Sequence, residues 1–255
     1  MNNIKNFIFS AKYYDYIYKK KNYLKETNFI SKFFYKKKVK KILDLGMGTG
    51  SHLINFLKKG HIVDGVEISP KMIKIAKEKI KKKNIKKNFK LFQGDLIKFR
   101  VKKHNYDAII SVFHVINYLK NINSLKKFFS NAHIGLKKNG ILLFDCWNDI
   151  LIKNNDLKNS KKIILFKDYK IIRFGNIKLT QNKKIKVIYK FKIYNKNKLI
   201  SEFFEQHNLH SFSKSEILDA AKNKFLLINH CVWFNSKKSP DKKDFSTLFI
   251  FKKVI

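Results

Sequence analysis

Lys41-Ile42-Leu43-Asp44-Leu45-Gly46-Met47-Gly48-Thr49-Gly50 decides the fold. A short apolar run breaks into three glycines at alternate positions, and a helical pattern follows at residues 51–59. Glycines on a strand-to-helix turn mark a place where backbone approaches a ligand closely, because side chains would prevent the approach. The spacing is GxGxG with an acid two residues before the first glycine. It is not the GxGxxG spacing that sets a pyrophosphate on a helix N-terminus. An acid at this point repels a pyrophosphate and favours a cation. Taken alone, a Gly-rich turn is also compatible with an ordinary tight turn.

Outward from this stretch, short apolar runs alternate with helical patterns, as in a parallel sheet with crossover helices. The pattern predicts strands at 41–45, 61–67, 89–93, 106–112 and 140–146, and helices at 51–59, 70–82 and 122–136. Ser69 can cap the second of these helices, and Pro70 suits its first position, where no N–H is needed. Glu67, at the end of the second strand, can accept hydrogen bonds from both hydroxyls of an unphosphorylated ribose. Asp95, in Gly94-Asp95-Leu96 after the third strand, can accept from the amino group of adenine. All three acids then lie at the C-terminal ends of adjacent strands, where open α/β sheets bind ligands. The fold class expected is α/β: a Rossmann-like sheet with helices on both faces.

Residues 1–36 are rich in aromatics and Lys and are expected to form an N-terminal helical lid. Residues 37–147 and 213–255 are expected to form the core. Residues 148–212 read as an antiparallel β insertion after the fifth strand, suited to holding an acceptor, because β segments from Ile163 to Leu209 are separated by Asn and Lys turns. Ser213, Ser215 and Glu216 open a further helix, and segments 225–234 and 246–252 read as a terminal hairpin of the main sheet. Asn223 stands before that hairpin and tolerates a left-handed helix end.

The region Lys41 to Trp147 resembles the class I S-adenosylmethionine-dependent methyltransferases. The resemblance implies that Asp44 and the turn of Gly46, Gly48 and Gly50 hold the methionine end of S-adenosyl-L-methionine, and that Glu67 holds the ribose. It implies that Asp95 with Leu96 holds adenine, that Met72 packs on adenine, and that Phe113 and His114 line the methionine side. Met47 stands where many members have Cys or Ala. Further motifs resemble the subgroup that N-methylates nucleotide-linked amino deoxysugars: Tyr14-Asp15-Tyr16-Ile17-Tyr18 with Lys21-Asn22-Tyr23 and Glu26, Phe144-Asp145-Cys146-Trp147, and Glu205-Gln206-His207.

On that resemblance the chain is expected to be a small-molecule methyltransferase acting on an amine. The alternative is O-methylation of a sugar or another small metabolite. His114, Tyr14 and Tyr18 are the candidate catalytic residues, since positioning dominates such a displacement and a hydroxyl or imidazole can relay the remaining proton. Amphipathic helix packing is the plainer reading of the two tyrosines. Tyr23, Trp147, Arg173 and His207 are the candidate acceptor contacts, Arg173 because a guanidinium suits a diphosphate. His207 also reads as a structural strand residue. The expected partners are a nucleotide sugar and a second copy of the chain as a homodimer. An RNA enzyme would carry an NPPY-type tetrapeptide after the fourth strand, whereas the chain reads Ser111-Val112-Phe113-His114. A non-catalytic cofactor-binding module is the remaining reading.

Composition agrees. A chain of 255 residues with 44% hydrophobic residues can bury a core, so disorder is excluded despite a net charge of +39. Among its 57 basic residues only Arg100 and Arg173 are arginines. Nucleic-acid readers favour Arg for bidentate contacts, and the lysines lie scattered along the chain as on a solvated surface. Cys146 and Cys231 show neither a disulfide framework nor metal-ligand spacing, so no metal is expected. With no apolar leader or spanning segment in view, the expected location is cytoplasmic.

Overall fold

The computed structural model describes residues 7, 9–34, 38–153, 159–180 and 184–254. Parts of the expected lid (residues 1–6, 8 and 35–36) and of the expected insertion (154–158 and 181–183) lie outside the described residues.

Two sheets organise the chain. The larger contains β1 (Lys41–Leu45), β2 (Ile62–Glu67), β3 (Phe89–Gln93), β4 (Tyr106–Ser111), β5 (Leu136–Trp147), β10 (Phe225–Val232) and β11 (Ser246–Lys253). Its order is β10-β11-β5-β4-β1-β2-β3. The first five strands run parallel, and β11 is antiparallel to both its neighbours. The crossover helices are α3 (Ser51–Lys58), α4 (Pro70–Lys82) and α5 (Ile122–Gly135).

Alternation along the strands builds a core on each face. Leu43, Leu45 and Phe144 pack on one side against Phe128 and Phe129 of α5 and Ile217 of α7 (Lys214–Ala221). Ile42, Ile110 and Leu143 pack on the other against Leu53 and Phe56 of α3 and Ile73 and Ile80 of α4, with Ile30 of α2 (Tyr23–Phe34). Each such fully buried side chain contributes about 1.5–3 kcal/mol.

Local chemistry fixes the ends of these elements. The Ser69 hydroxyl accepts from the Met72 N–H at 3.4 Å, and Pro70 opens α4. Ser213 and Glu216 form a reciprocal capping box on α7, and Asn223 is left-handed after it, at φ 64°. Several element ends differ from the sequence reading, most by one or two residues, and two of the differences have a local cause. β4 stops at Ser111 because Phe113 and His114 both turn left-handed. β5 begins at Leu136 because Leu136 pairs with Tyr106 before Lys137–Gly140 bulges out, and Ile141 then pairs with Ala108. The polar stretch after Trp147 also holds a short helix not expected from sequence, α6 (Asp149–Lys153).

The insertion is a second sheet of four antiparallel strands: β6 (Ser160–Phe166), β7 (Tyr169–Leu179), β8 (Lys184–Asn195) and β9 (Lys198–His210). Lys196 and Asn197, both at positive φ, close the β8–β9 hairpin in the turn geometry that matches strand twist. The inner face of this sheet presents Ile171, Phe191 and Ile193 to Tyr13 and Ile17. These belong to the 3₁₀ turn Ser10–Tyr13 and to α1 (Tyr14–Ile17), so lid and insertion close over one end of the main sheet. No helix among the described residues is long and apolar enough to cross a membrane.

Candidate active site

The C-terminal ends of β1, β2 and β4, the lid and the inner face of the second sheet enclose a cavity of about 390 Å³. That volume is in the range of small-molecule sites.

The glycine turn forms its floor. Gly46 and Gly48 adopt φ of +80° and +55°, a region side chains rarely enter. A Cβ on Gly46 would meet Val115 at 2.6 Å, whereas a Cβ on Gly48 would meet nothing within 4 Å. The turn is anchored by the Gly46 and Met47 N–H groups, which donate to the Val66 carbonyl at 2.8 and 3.1 Å. Glu67 ties the turn to the next helix: Oε2 accepts from Gly48 N–H and Oε1 from Ser69 N–H, both at 2.9 Å. Burial raises its pKa against those hydrogen bonds. Beneath lies Asp44, 1% exposed, with Oδ2 lacking any hydrogen-bond partner. Burial, and then the charge of Glu67, push its carboxyl up to about 7. Neither acid pairs with Lys or Arg among the described residues, so a negative well lies under the turn.

One wall is built from strained backbone. Phe113 and His114 are left-handed in succession at φ 74° and 63°, a conformation costing about 1–3 kcal/mol per residue. Asp145 holds them. Its Oδ1 accepts from the His114 N–H at 2.8 Å, and its Oδ2 accepts from the Trp233 indole at 3.1 Å and the Ser246 hydroxyl at 3.4 Å. Burial lowers the pKa of His114 despite Asp145, which keeps its ring neutral.

The lid supplies the roof. The Tyr14 and Tyr18 rings lie 4.7 Å apart, and Tyr18 meets Phe113 edge-on at 4.9 Å. Between them in sequence, Asp15 accepts from the Thr49 hydroxyl at 2.6 Å and pairs with Lys79 at 2.9 Å, fastening the lid to the glycine turn. Burial raises the Tyr14 hydroxyl well above its ordinary value. Deeper in, Glu26 and His52 pair at 2.7 Å, and Tyr23 stacks edge-on against His52.

On the side of the second sheet, Arg173 Nη1 donates to the Tyr18 hydroxyl at 3.1 Å, and its guanidinium lies 4.6 Å over the Tyr189 ring. Its buried Nε has no partner. The Tyr118 hydroxyl lies 2.9 Å from His207 Nδ1. Burial, and then the charge of Arg173, lower His207 to about 4. Trp147 is buried against Phe245, and its backbone N–H donates to Asn117 Oδ1 at 2.9 Å.

The structure therefore brings together Gly46, Gly48, Glu67, Met72, Phe113 and His114 with Tyr14, Tyr18, Tyr23, Trp147, Arg173 and His207. Asp44, Gly50, Asp95 and Leu96 do not line the cavity. Asp44 and Gly50 support the turn from behind, Asp95 Oδ1 accepts from the Ile97 N–H at 2.9 Å, and Leu96 packs against the core. Thr49, His52, Tyr118 and Tyr189 line it without having been singled out in the sequence. Tyr118 stands four residues past His114, one helical turn away, and that spacing was the only signal available.

Residues 42–140 match the family described as a methyltransferase domain. A demethylmenaquinone methyltransferase of Tropheryma whipplei (strain Twist) is 35% identical over 103 residues, 40% of this chain and 39% of its own length. A dTDP-3-amino-3,4,6-trideoxy-alpha-D-glucopyranose N,N-dimethyltransferase of Streptomyces venezuelae is 28% identical over 106 residues, 42% of each chain. The chain thus spans about two-fifths of the length of the curated relatives it matches. An S-adenosylmethionine-dependent methyltransferase from Clostridium acetobutylicum ATCC 824 superposes with a TM-score of 0.80 at 19% identity, over 96% of this chain and 98% of the other. The likeness in fold thus extends past the sheet shared with sequence relatives to the lid and the second sheet.

Proposed function

We propose that this chain, which carries a class I methyltransferase domain, is an S-adenosylmethionine-dependent enzyme methylating the amine of a nucleotide-linked amino deoxysugar. The observation that carries the reading is the negative well: a buried Asp44 with an orphaned Oδ2, beside Glu67, under a turn whose positive φ favours glycine. Burying unpaired carboxylates is costly, and a ligand bearing an ammonium and a sulfonium supplies the missing charge. Bound there, S-adenosylmethionine contributes an electrophilic methyl group.

In this reading Asp44 and the turn of Gly46, Gly48 and Gly50 hold the methionine end, and Glu67 the ribose hydroxyls. Met72, Asp95 and Leu96 take the adenine, and Phe113 packs beside the methionine side. Tyr14, Tyr18 and His114 hold the acceptor amine in line, and such positioning contributes about 7–11 kcal/mol. Tyr23, Trp147 and His207 border the acceptor, and Arg173 meets its anionic part. The support for an amine on a sugar is the set of motifs at residues 14–26, 144–147 and 205–207 together with the Streptomyces venezuelae relative. The Tropheryma whipplei relative, matched over a similar length, is named for a different acceptor.

Calorimetry with S-adenosylhomocysteine tests the cofactor, and binding of a nicotinamide dinucleotide in its place would overturn the reading. Incubation with methyl-labelled cofactor, bulk RNA and a panel of amino and hydroxy nucleotide sugars tests the acceptor. Label is expected on the amino sugars. Label confined to hydroxy sugars would move the assignment to O-methylation, label only in RNA would overturn a small-molecule acceptor, and binding without transfer to any of them would indicate a non-catalytic module.

A further inference from the structure

Three groups connect the cavity with the second sheet through successive contacts. Tyr118 ends the 3₁₀ turn Val115–Tyr118, and both it and His207 line the cavity. The Tyr118 hydroxyl lies 2.9 Å from His207 Nδ1, and the Glu205 carboxylate on the Nε2 side favours the tautomer in which Nδ1 accepts. With Nδ1 accepting, the ring's own proton stands on Nε2, which lies 3.9 Å from Glu205 Oε2. His207 and Glu205 are 2% and 5% exposed. Glu205 Oε1 accepts from the Phe9 and Ser10 N–H groups at 3.1 and 2.9 Å, while Oε2 has no hydrogen-bond partner and faces only the ring. A purely structural pair would be complete with the Tyr118–His207 bond. It leaves unexplained a buried carboxylate oxygen facing the far nitrogen of the ring.

We propose that Tyr118 is a catalytic residue that takes the acceptor's proton and passes its own to His207, while Glu205 orients the imidazole and stabilises it when charged. The inference rests on the methyltransferase reading. As the acceptor nitrogen's lone pair forms the new N–C bond, the C–S bond of the sulfonium breaks and its electron pair remains on sulfur as a neutral thioether. The proton left on nitrogen moves to the Tyr118 oxygen, and the Tyr118 proton moves to His207 Nδ1. The positive charge that starts on sulfur therefore ends on the His207 ring, where Glu205 faces it. The same relay serves a hydroxyl acceptor, which must lose its proton as it attacks. The other groups facing His207 are Tyr189, whose ring lies 5.3 Å away, and Arg173, whose charge opposes protonation. Burial and Arg173 keep the ring neutral in the resting state, so the opposing charge of Glu205 is what allows it to take a proton.

Two measurements test the relay on the full chain with S-adenosylhomocysteine bound or the labelled donor supplied. The first is ¹⁵N NMR of the His207 ring. Hydrogen on Nε2 is expected, with Tyr118→Phe shifting the Nδ1 signal and Glu205→Gln lowering the pH at which the ring charges. Hydrogen on Nδ1 would overturn the proposal. The second is turnover of labelled donor with the nucleotide-sugar panel. Tyr118→Phe and His207→Gln should lower kcat by about 10²- to 10⁴-fold, flatten the acid limb of its pH profile, and leave calorimetric affinity for S-adenosylhomocysteine within threefold. Normal affinity with wild-type kcat and pH profile in both variants would overturn the relay alone. Failure of the wild-type chain to bind S-adenosylhomocysteine would overturn the methyltransferase reading and the relay with it.

Discussion

The His114 N–H points at Asp145 Oδ1 from 2.8 Å, so a carboxylate on β5 holds a left-handed residue at the end of β4. Asp145→Asn keeps an oxygen for His114 but turns an amide N–H₂ toward the Trp233 indole and the Ser246 hydroxyl. Donor then faces donor at the indole, whereas the Ser246 hydroxyl can turn to accept. Urea unfolding should show a loss of about 1.5–3 kcal/mol, together with altered Trp fluorescence. Unchanged stability would show that Phe113 and His114 need no such support.

Asp44 links cofactor affinity to pH. Its carboxyl stands at about 7 in the ligand-free chain, and a cationic ligand favours the ionised form. The free chain therefore holds more protons than the complex between the ordinary aspartate range and pH 7. Binding should release a proton and tighten as pH rises from 5 to 8. Calorimetry with S-adenosylhomocysteine in buffers of different ionisation enthalpy reads this directly, and Asp44→Asn should reduce the proton release to what Glu67 contributes.

Glu67 bridges the glycine turn and the start of α4. Glu67→Ala removes a charge-assisted acceptor from the proposed ribose site and should weaken S-adenosylhomocysteine binding by about 1.5–3 kcal/mol. An unchanged affinity would take Glu67 out of that site.

Two glycines of one turn should respond differently to the same substitution. Gly46→Ala drives a Cβ to 2.6 Å from Val115 at φ +80°, adding a clash to a left-handed cost of about 1–2 kcal/mol. It should lower Tm. Gly48→Ala places its Cβ in open space on the cavity side at φ +55°. It should lose only about the backbone cost in stability, with a larger loss in S-adenosylhomocysteine affinity.

The sequence by itself determined the sheet and its ligand-binding end. The signals were local: the apolar runs, the glycines of residues 46 to 50, Ser69-Pro70 and the Ser213–Glu216 box each depend on neighbours a few residues away. Short-range sterics and hydrogen bonding are enough to fix them. The left-handed pair Phe113–His114 was hidden, since such a conformation in bulky residues survives only through an acceptor 31 residues distant in the chain. The Asp15–Thr49 contact joins residues 34 apart, and the Tyr118–His207 contact joins residues 89 apart. No periodicity announces such pairs, because they form only when the second sheet folds back over the strand ends. Tertiary packing alone decided which of the chain's many tyrosines face the cavity, for burial and charge at a side chain are set by everything packed around it.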